Sequence, residues 1–166
     1  MTSQDIFTQA LSYEKKIRDL YQSAVSTIDD DRGKAIFQAL ADDEQSHVDF
    51  LEYALDLLAS QGEIDISKLT TGIPEPVEAD IRAMTAKIPD QMLGDTKRVL
   101  NTALALEVET SRFYENACKQ TSGKIAEIFE KFYEIEQRHV DVVQIELDHA
   151  VGNGHWFNFM EIDMED

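Results

Sequence analysis

Apolar residues along this chain recur at steps of three and four, never in sustained alternation. Residues 3–28 carry Phe7, Ala10, Leu11, Ile17, Tyr21, Ala24, Val25 and Ile28 in that rhythm. Residues 34–60 repeat it with Ile36, Leu40, Leu51, Ala54 and Leu58, and residues 95–120 with Val99, Leu100, Ala103, Leu104, Tyr114 and Ala117. Residues 123–150 do so with Ile125, Ile128, Phe132, Val143 and Leu147. A period near 3.6 predicts four amphipathic helices and no strand. Glycine and proline punctuate the pattern: Gly33 after an acidic run, six such residues between Gly62 and Gly94, Gly123, and then Gly152 and Gly154. The first and second helices, and the third and fourth, are therefore joined by short turns, which makes two antiparallel hairpins. The longer segment 62–94 predicts a crossover along the bundle, with a short helix near residues 76–87. The expected architecture is all-α: a four-helix bundle over residues 1–151, then a tail over residues 152–166.

The two halves resemble each other. Residues 10–24 (ALSYEKKIRDLYQSA) and 103–117 (ALALEVETSRFYENA) share Ala, Leu, Glu, Tyr and a final Ala at an offset of 93. EQSHVD at 44–49 and EQRHVD at 136–141 match at an offset of 92. The chain reads as a duplicated helix hairpin. Its approximate two-fold axis would bring repeated residues face to face.

The repeated polar residues are Glu14, Glu44 and His47 in one half and Glu107, Glu136 and His139 in the other. Each falls among apolar residues on its helix, where a carboxylate is costly unless paired or metal-bound. Four such carboxylates converging without a cation would repel each other or take up protons. Glu-x-x-His spacing sets a carboxylate and an imidazole about 4.5 Å apart along one helix face, within reach of one metal ion. Four glutamates and two histidines in a bundle form the ligand set of a di-iron or di-manganese carboxylate site. Zinc also accepts this mixture of ligands. A single Glu-x-x-His is a weak signal. Two of them, each with a buried-face glutamate some 30 residues upstream in matching halves, are a strong one. A third pair, Glu146 and His149, is ten residues beyond Glu136 and His139, and is expected at a solvated helix end.

The arrangement Glu … Glu-x-x-His … Glu … Glu-x-x-His resembles the ferritin-like di-iron carboxylate proteins over residues 3 to 150. It is most similar to the rubrerythrin-like group, with a tyrosine seven residues after each lone glutamate. The resemblance implies that Glu14, Glu44, His47, Glu107, Glu136 and His139 are metal ligands. Glu44 and Glu136 would bridge two iron ions per chain and the histidines would cap them. It also implies reduction of hydrogen peroxide or dioxygen with electrons from an external donor, and a homodimer, with a cage as the alternative. The chain departs from the group in two ways. Cys118 is its only cysteine, so no four-cysteine rubredoxin domain is present. The position of an additional glutamate on the third helix is taken by Leu104 or Thr110, and Glu109 is turned off that face. The six-ligand set is closer to bacterioferritin, although the glycines at 152 and 154 interrupt the tail where a fifth helix would run. Manganese catalases share only the ligand logic.

Tyr21 and Tyr114 lie two turns from Glu14 and Glu107 and can orient a carboxylate or simply fill the core. Asp49 and Asp141 follow the histidines by two and are expected in solvent. Cys118 reads as a small buried apolar residue rather than a redox thiol. The tail His155–Met160 is aromatic enough to dock on the bundle or on a second subunit.

Composition narrows the function classes. Fifteen Lys+Arg against 33 Asp+Glu give a net charge of −18, which argues against nucleic acid. A lone cysteine suits a reducing compartment. No apolar run approaches the ~20 residues of a membrane span, and the N-terminus lacks the order of a signal peptide. A cytoplasmic location is the expectation. Three functions stay open: a di-iron oxidoreductase, an iron-handling ferroxidase, or a helical bundle that binds zinc or no metal and serves an interaction role.

Overall fold

A computed structural model describes residues 1–76, 85–157 and 159. Four long helices dominate it: α1 (Ser3–Thr27), α2 (Asp31–Ser60), α3 (Asp90–Gln120) and α4 (Gly123–Asn153). Three residues join α1 to α2 and two join α3 to α4, so each pair is an antiparallel hairpin. The segment between the hairpins is the long crossover. The architecture is the all-α four-helix bundle that the apolar rhythm predicts.

Local chemistry sets the helix starts. Thr2 Oγ1 accepts from the Asp5 amide at 3.1 Å, and Asp5 Oδ2 accepts from the Thr2 amide at 2.9 Å, a reciprocal cap on α1. Asp30 caps α2 by accepting from the Gly33 amide at 2.9 Å. The same Asp30 oxygen accepts from Trp156 Nε1 at 2.9 Å, tying the first turn to the tail. Gly154 closes α4 in the left-handed region at φ 71°, where glycine carries no Cβ penalty.

Three boundaries depart from the sequence expectations. Helix α3 begins at Asp90, directly after Pro89, and takes Gly94 into its second turn. A glycine there costs about 1 kcal/mol relative to alanine, which packing can override. The expected short helix near 76–87 falls largely on residues 77–84, outside the described residues, and residues 85–87 form a strand. That strand, β1 (Thr85–Lys87), pairs antiparallel with β2 (His155–Phe157), and Ala86 is opposite Trp156. The bundle thus carries a two-stranded ribbon that period counting could not detect, because three residues hold no period.

The core splits into two apolar clusters along the bundle. One gathers Ile17, Ile28, Phe37, Leu40, Leu100, Val143 and the tail residues Trp156, Phe157 and Phe159. The other gathers Phe7, Phe50, Leu51, Leu69, Ile128, Phe129 and Phe132. The polar residues of the duplicated motif interrupt the apolar stripe between them. The tail aromatics are buried in their own chain, so the tail supplies no argument for a dimer. Met160 lies outside the described residues.

Candidate metal centre

Each helix sends inward the polar residues that its spacing assigns to the buried face. Glu14 on α1, Glu44 and His47 on α2, Glu107 on α3, and Glu136 and His139 on α4 are all fully buried. They form two groups whose ligand atoms lie within 4.8 Å of one another. The first is Glu14, Glu44, His47 and Glu136; the second is Glu44, Glu107, Glu136 and His139. Glu44 and Glu136 belong to both groups, and each group has its own lone glutamate and its own histidine. The six residues singled out in the sequence therefore converge on one place.

Both imidazoles turn the same nitrogen inward. His47 Nδ1 lies 3.6 Å from Glu44 Oε2 and 3.8 Å from Glu14 Oε1. His139 Nδ1 lies 2.8 Å from Glu44 Oε1 and 3.5 Å from Glu107 Oε1. The two rings stack with centroids 5.6 Å apart, and Phe132 meets His47 edge-on at 5.8 Å. Each Nε2 points outward to a fixed partner: His47 Nε2 donates to the Thr70 carbonyl at 3.0 Å and His139 Nε2 donates to Asp43 Oδ2 at 2.6 Å. With its proton on Nε2, a ring leaves the Nδ1 lone pair for a metal.

The tyrosines cross the bundle. Tyr21 on α1 donates to Glu107 Oε1 on α3, and Tyr114 on α3 donates to Glu14 Oε1 on α1, each at 2.8 Å. Each thus bonds the lone glutamate of the other half, not the one on its own helix. Tyr114 also stacks face to face on Phe132 at 4.6 Å.

The remaining oxygens are the test of whether these residues fit a metal. Glu14 Oε2, Glu44 Oε2, Glu107 Oε2, both oxygens of Glu136 and His47 Nδ1 have no hydrogen-bond partner among the described residues. Buried polar atoms are almost always satisfied, and six of the eight exceptions among the described residues cluster at one point, Thr96 Oγ1 and Glu146 Oε2 being the other two. The clustered six are hard oxygen or imidazole donors, the set that suits iron, manganese or zinc.

The electrostatics agree. Burial, then the neighbouring Glu44 charge, pushes the Glu14 carboxyl well above its ordinary value. Burial, then Glu14, Glu107 and Glu44, does the same to Glu136. Burial opposes ionisation of Glu107 as well, but the adjacent His139 charge and hydrogen bond outweigh it and hold that carboxyl low. Burial also disfavours charge on His139, and Glu44 and Glu107 overcome this and raise it well above its usual value. The cluster thus keeps protons where a cation would otherwise balance its carboxylates.

Three residues were placed elsewhere or missed by the sequence. Asp43 was not singled out. It is buried, and besides His139 it accepts from Thr71 Oγ1 and the Gly72 amide, both at 2.7 Å. Its signal was present in the duplication: the equivalent position in the second half is Ile135, also buried, which marks an inward position. Thr70 contributes a main-chain carbonyl, which no side-chain pattern encodes. Glu146 is the correction. It was expected at a solvated helix end but is fully buried, with Oε1 accepting from the Phe157 amide at 2.6 Å. It stands seven residues, about two turns, beyond His139 and shares that face.

The other expectations concern the periphery. Asp49 and Asp141 are exposed, as is Glu109. Thr110 is buried and donates to the Leu106 carbonyl of its own helix at 2.8 Å, turning no ligand inward. Cys118 is half-buried and free. A cavity of about 350 Å³ opens over Asp43, bounded by Asp42, Ser46, Thr70, Gly72 and Phe159 among others. Among the described residues, no helix is long and apolar enough to cross a membrane.

Fold and site together define a four-helix bundle with a buried carboxylate–imidazole cluster able to hold metal ions. No protein-family model, curated protein or solved structure gives a significant match to the chain.

Proposed function

We propose that the protein is a non-haem di-iron carboxylate oxidoreductase, similar to the rubrerythrin-like group, that reduces hydrogen peroxide or dioxygen. One observation carries this reading. Two four-residue ligand groups share Glu44 and Glu136, and most of their inward-facing atoms lack any other partner. Shared carboxylates between two such groups are what a two-metal site needs. Glu14 and His47 would hold one ion, Glu107 and His139 the other, and Glu44 and Glu136 both. Iron held there would supply one electron per ion, so that hydrogen peroxide, two electrons and two protons give two waters.

The chain's own residues set the conditions for this chemistry. The two apolar clusters exclude water from both sides of the site. Tyr21 and Tyr114 each hold one oxygen of a lone glutamate, leaving the other free for a metal. The raised carboxyls of Glu14 and Glu136 carry protons that metal binding would displace. An external reductant restores the reduced state, and a homodimer follows from the resemblance alone.

A second reading is iron handling by ferroxidase action. The third helix favours it, because Leu104 and Thr110, the two positions where the rubrerythrin-like pattern would place another carboxylate, carry none, and Thr110 is bonded to its own helix.

Elemental analysis of protein loaded anaerobically with iron tests the reading, with Glu44→Ala as control. Two irons per chain, lost in the variant, are expected. Failure of the unsubstituted protein to retain iron would overturn it. Turnover with peroxide against turnover with dioxygen then separates the two readings.

A further inference from the structure

The duplication makes the inward halves of the two ligand groups alike. Each has one lone glutamate, one histidine with Nδ1 turned inward, and one tyrosine bond from the opposite repeat. The outer side of the imidazoles breaks that equivalence. Behind His139 stands a carboxylate, Asp43 Oδ2, at 2.6 Å. Behind His47 stands a neutral carbonyl, that of Thr70, at 3.0 Å. The second repeat has Ile135 at the position of Asp43, so it offers His47 no carboxylate in return. Asp43 Oδ2 does approach His47 Nε2, but only to 3.7 Å, beyond a hydrogen bond. Asp43 itself accepts from the Thr71 hydroxyl and the Gly72 amide of the crossover, so its direction is fixed from the far side.

An anionic acceptor behind an imidazole N–H forms a stronger bond than a neutral carbonyl does, and makes the opposite nitrogen a better donor to a metal. Ring orientation is also better defined by a short charged bond. We propose that Asp43 is a positioning residue that makes the two metal positions unequal. The position of Glu107 and His139 binds a divalent cation more tightly than that of Glu14 and His47, and fills first. This rests on the two-metal reading given above. Asp43 acts through His139 and touches no ion.

Anaerobic titration with Co²⁺, followed by its visible absorption, tests the inference on the full chain. Two separated steps are expected, and Glu107→Ala removes the tight one while Glu14→Ala removes the weak one. Asp43→Asn weakens the tight step by about 10–100-fold and leaves the weak one in place. A purely structural role would instead shift both steps together, and that result would overturn the inference. Circular dichroism checks that Asp43→Asn folds. If it does not, the remaining site in Glu14→Ala must still bind Co²⁺ more tightly than that in Glu107→Ala, and equal or reversed affinities overturn the inference. Two ions bound equally by the unsubstituted protein overturn the inequality and leave the two-metal centre intact. Fewer than two ions overturn the centre itself, and the inequality with it.

Discussion

Tyr21 and Glu107 sit on different hairpins, and the 2.8 Å bond between them is one of a reciprocal pair that stitches α1 to α3 across the centre of the bundle. Both partners are fully buried. Burial, then the charge of Glu107, pushes the Tyr21 hydroxyl well above its ordinary value, so it remains a donor at any working pH. Tyr21→Phe removes the tyrosine donor from Glu107 Oε1 in a dry interior and leaves only the longer approach of His139 Nδ1, at 3.5 Å. A hydrogen bond to a charged group contributes about 1.5–3 kcal/mol, and in a chain of this size each kcal/mol is worth roughly 2–4 °C of Tm. Thermal melting of the metal-free variant should fall accordingly. The variant should still bind two metal ions, because Glu107 Oε2 is unaffected.

Glu136 offers the opposite trade. Neither of its oxygens has a partner among the described residues. Burial and three neighbouring glutamates raise its carboxyl well above the usual value. A carboxyl raised in the folded state favours folding at low pH. Its stability contribution declines as pH rises past the unfolded value, because the unfolded chain can then ionise and the folded one resists. Glu136→Gln abolishes that penalty with little change of shape. The metal-free variant should therefore melt higher than the unsubstituted protein at pH 8, and the advantage should shrink towards pH 4. The same variant should lose metal binding, which elemental analysis would show. A lower Tm at pH 8 would contradict the cost assigned to this carboxylate.

The sequence made the bundle and the six converging residues legible for one reason. Helical periodicity fixes faces, and the duplication states each inward position twice. Glu14 and Glu107, or His47 and His139, corroborate each other in a way that no single motif could. Legibility fails where this redundancy fails. Asp43 has an apolar counterpart, so looking for repeated polar residues passes over it. The Thr70 carbonyl belongs to the backbone. Glu146 has Ala54 at its equivalent position, and its partner, the Phe157 amide, lies in a tail outside the repeat. The ribbon of β1 and β2 is too short for periodicity to register. Which tyrosine bonds which glutamate is a matter of how α1 crosses α3, and spacing along one helix is silent on that.

Gly33 joins the first turn to the tail through its lack of a side chain. A Cβ built there would lie 2.7 Å from Trp156 Cζ2 and 2.8 Å from Ile28 Cγ2. Both neighbours are fully buried, and the indole is further pinned by its bond to Asp30. Gly33→Ala gains a few tenths to about 1 kcal/mol in helix propensity, but overpacking a tight core costs typically 1–3 kcal/mol. The clash should win. The variant should melt lower, and its Trp156 emission should shift to the red as the indole is displaced towards solvent. An unchanged spectrum with a raised Tm would show that the tail yields without cost.

Glu146 is a buried carboxyl that the metal chemistry does not use. Its Oε1 accepts from the Phe157 amide at 2.6 Å, while Oε2 has no partner among the described residues. Burial raises it well above the ordinary value of 4.5, and the Phe157 amide only partly opposes that. The neutral acid is therefore the form that suits the fold. As pH climbs from 4.5 towards the raised folded value, the unfolded chain releases the proton first and stability falls. Glu146→Gln keeps a carbonyl oxygen for the Phe157 amide and cannot ionise. It should match the unsubstituted protein in Tm near pH 4 and exceed it at pH 8. Amide hydrogen exchange at Phe157 gives the local readout. In the unsubstituted protein, protection of that amide relative to the core of α2 should weaken as pH rises, because ionising Glu146 favours opening of the tail. In Glu146→Gln, relative protection should stay level across the same range. A parallel loss in both proteins would show that the tail is held by Trp156 and the β1–β2 pairing, with Glu146 contributing nothing to the pH dependence.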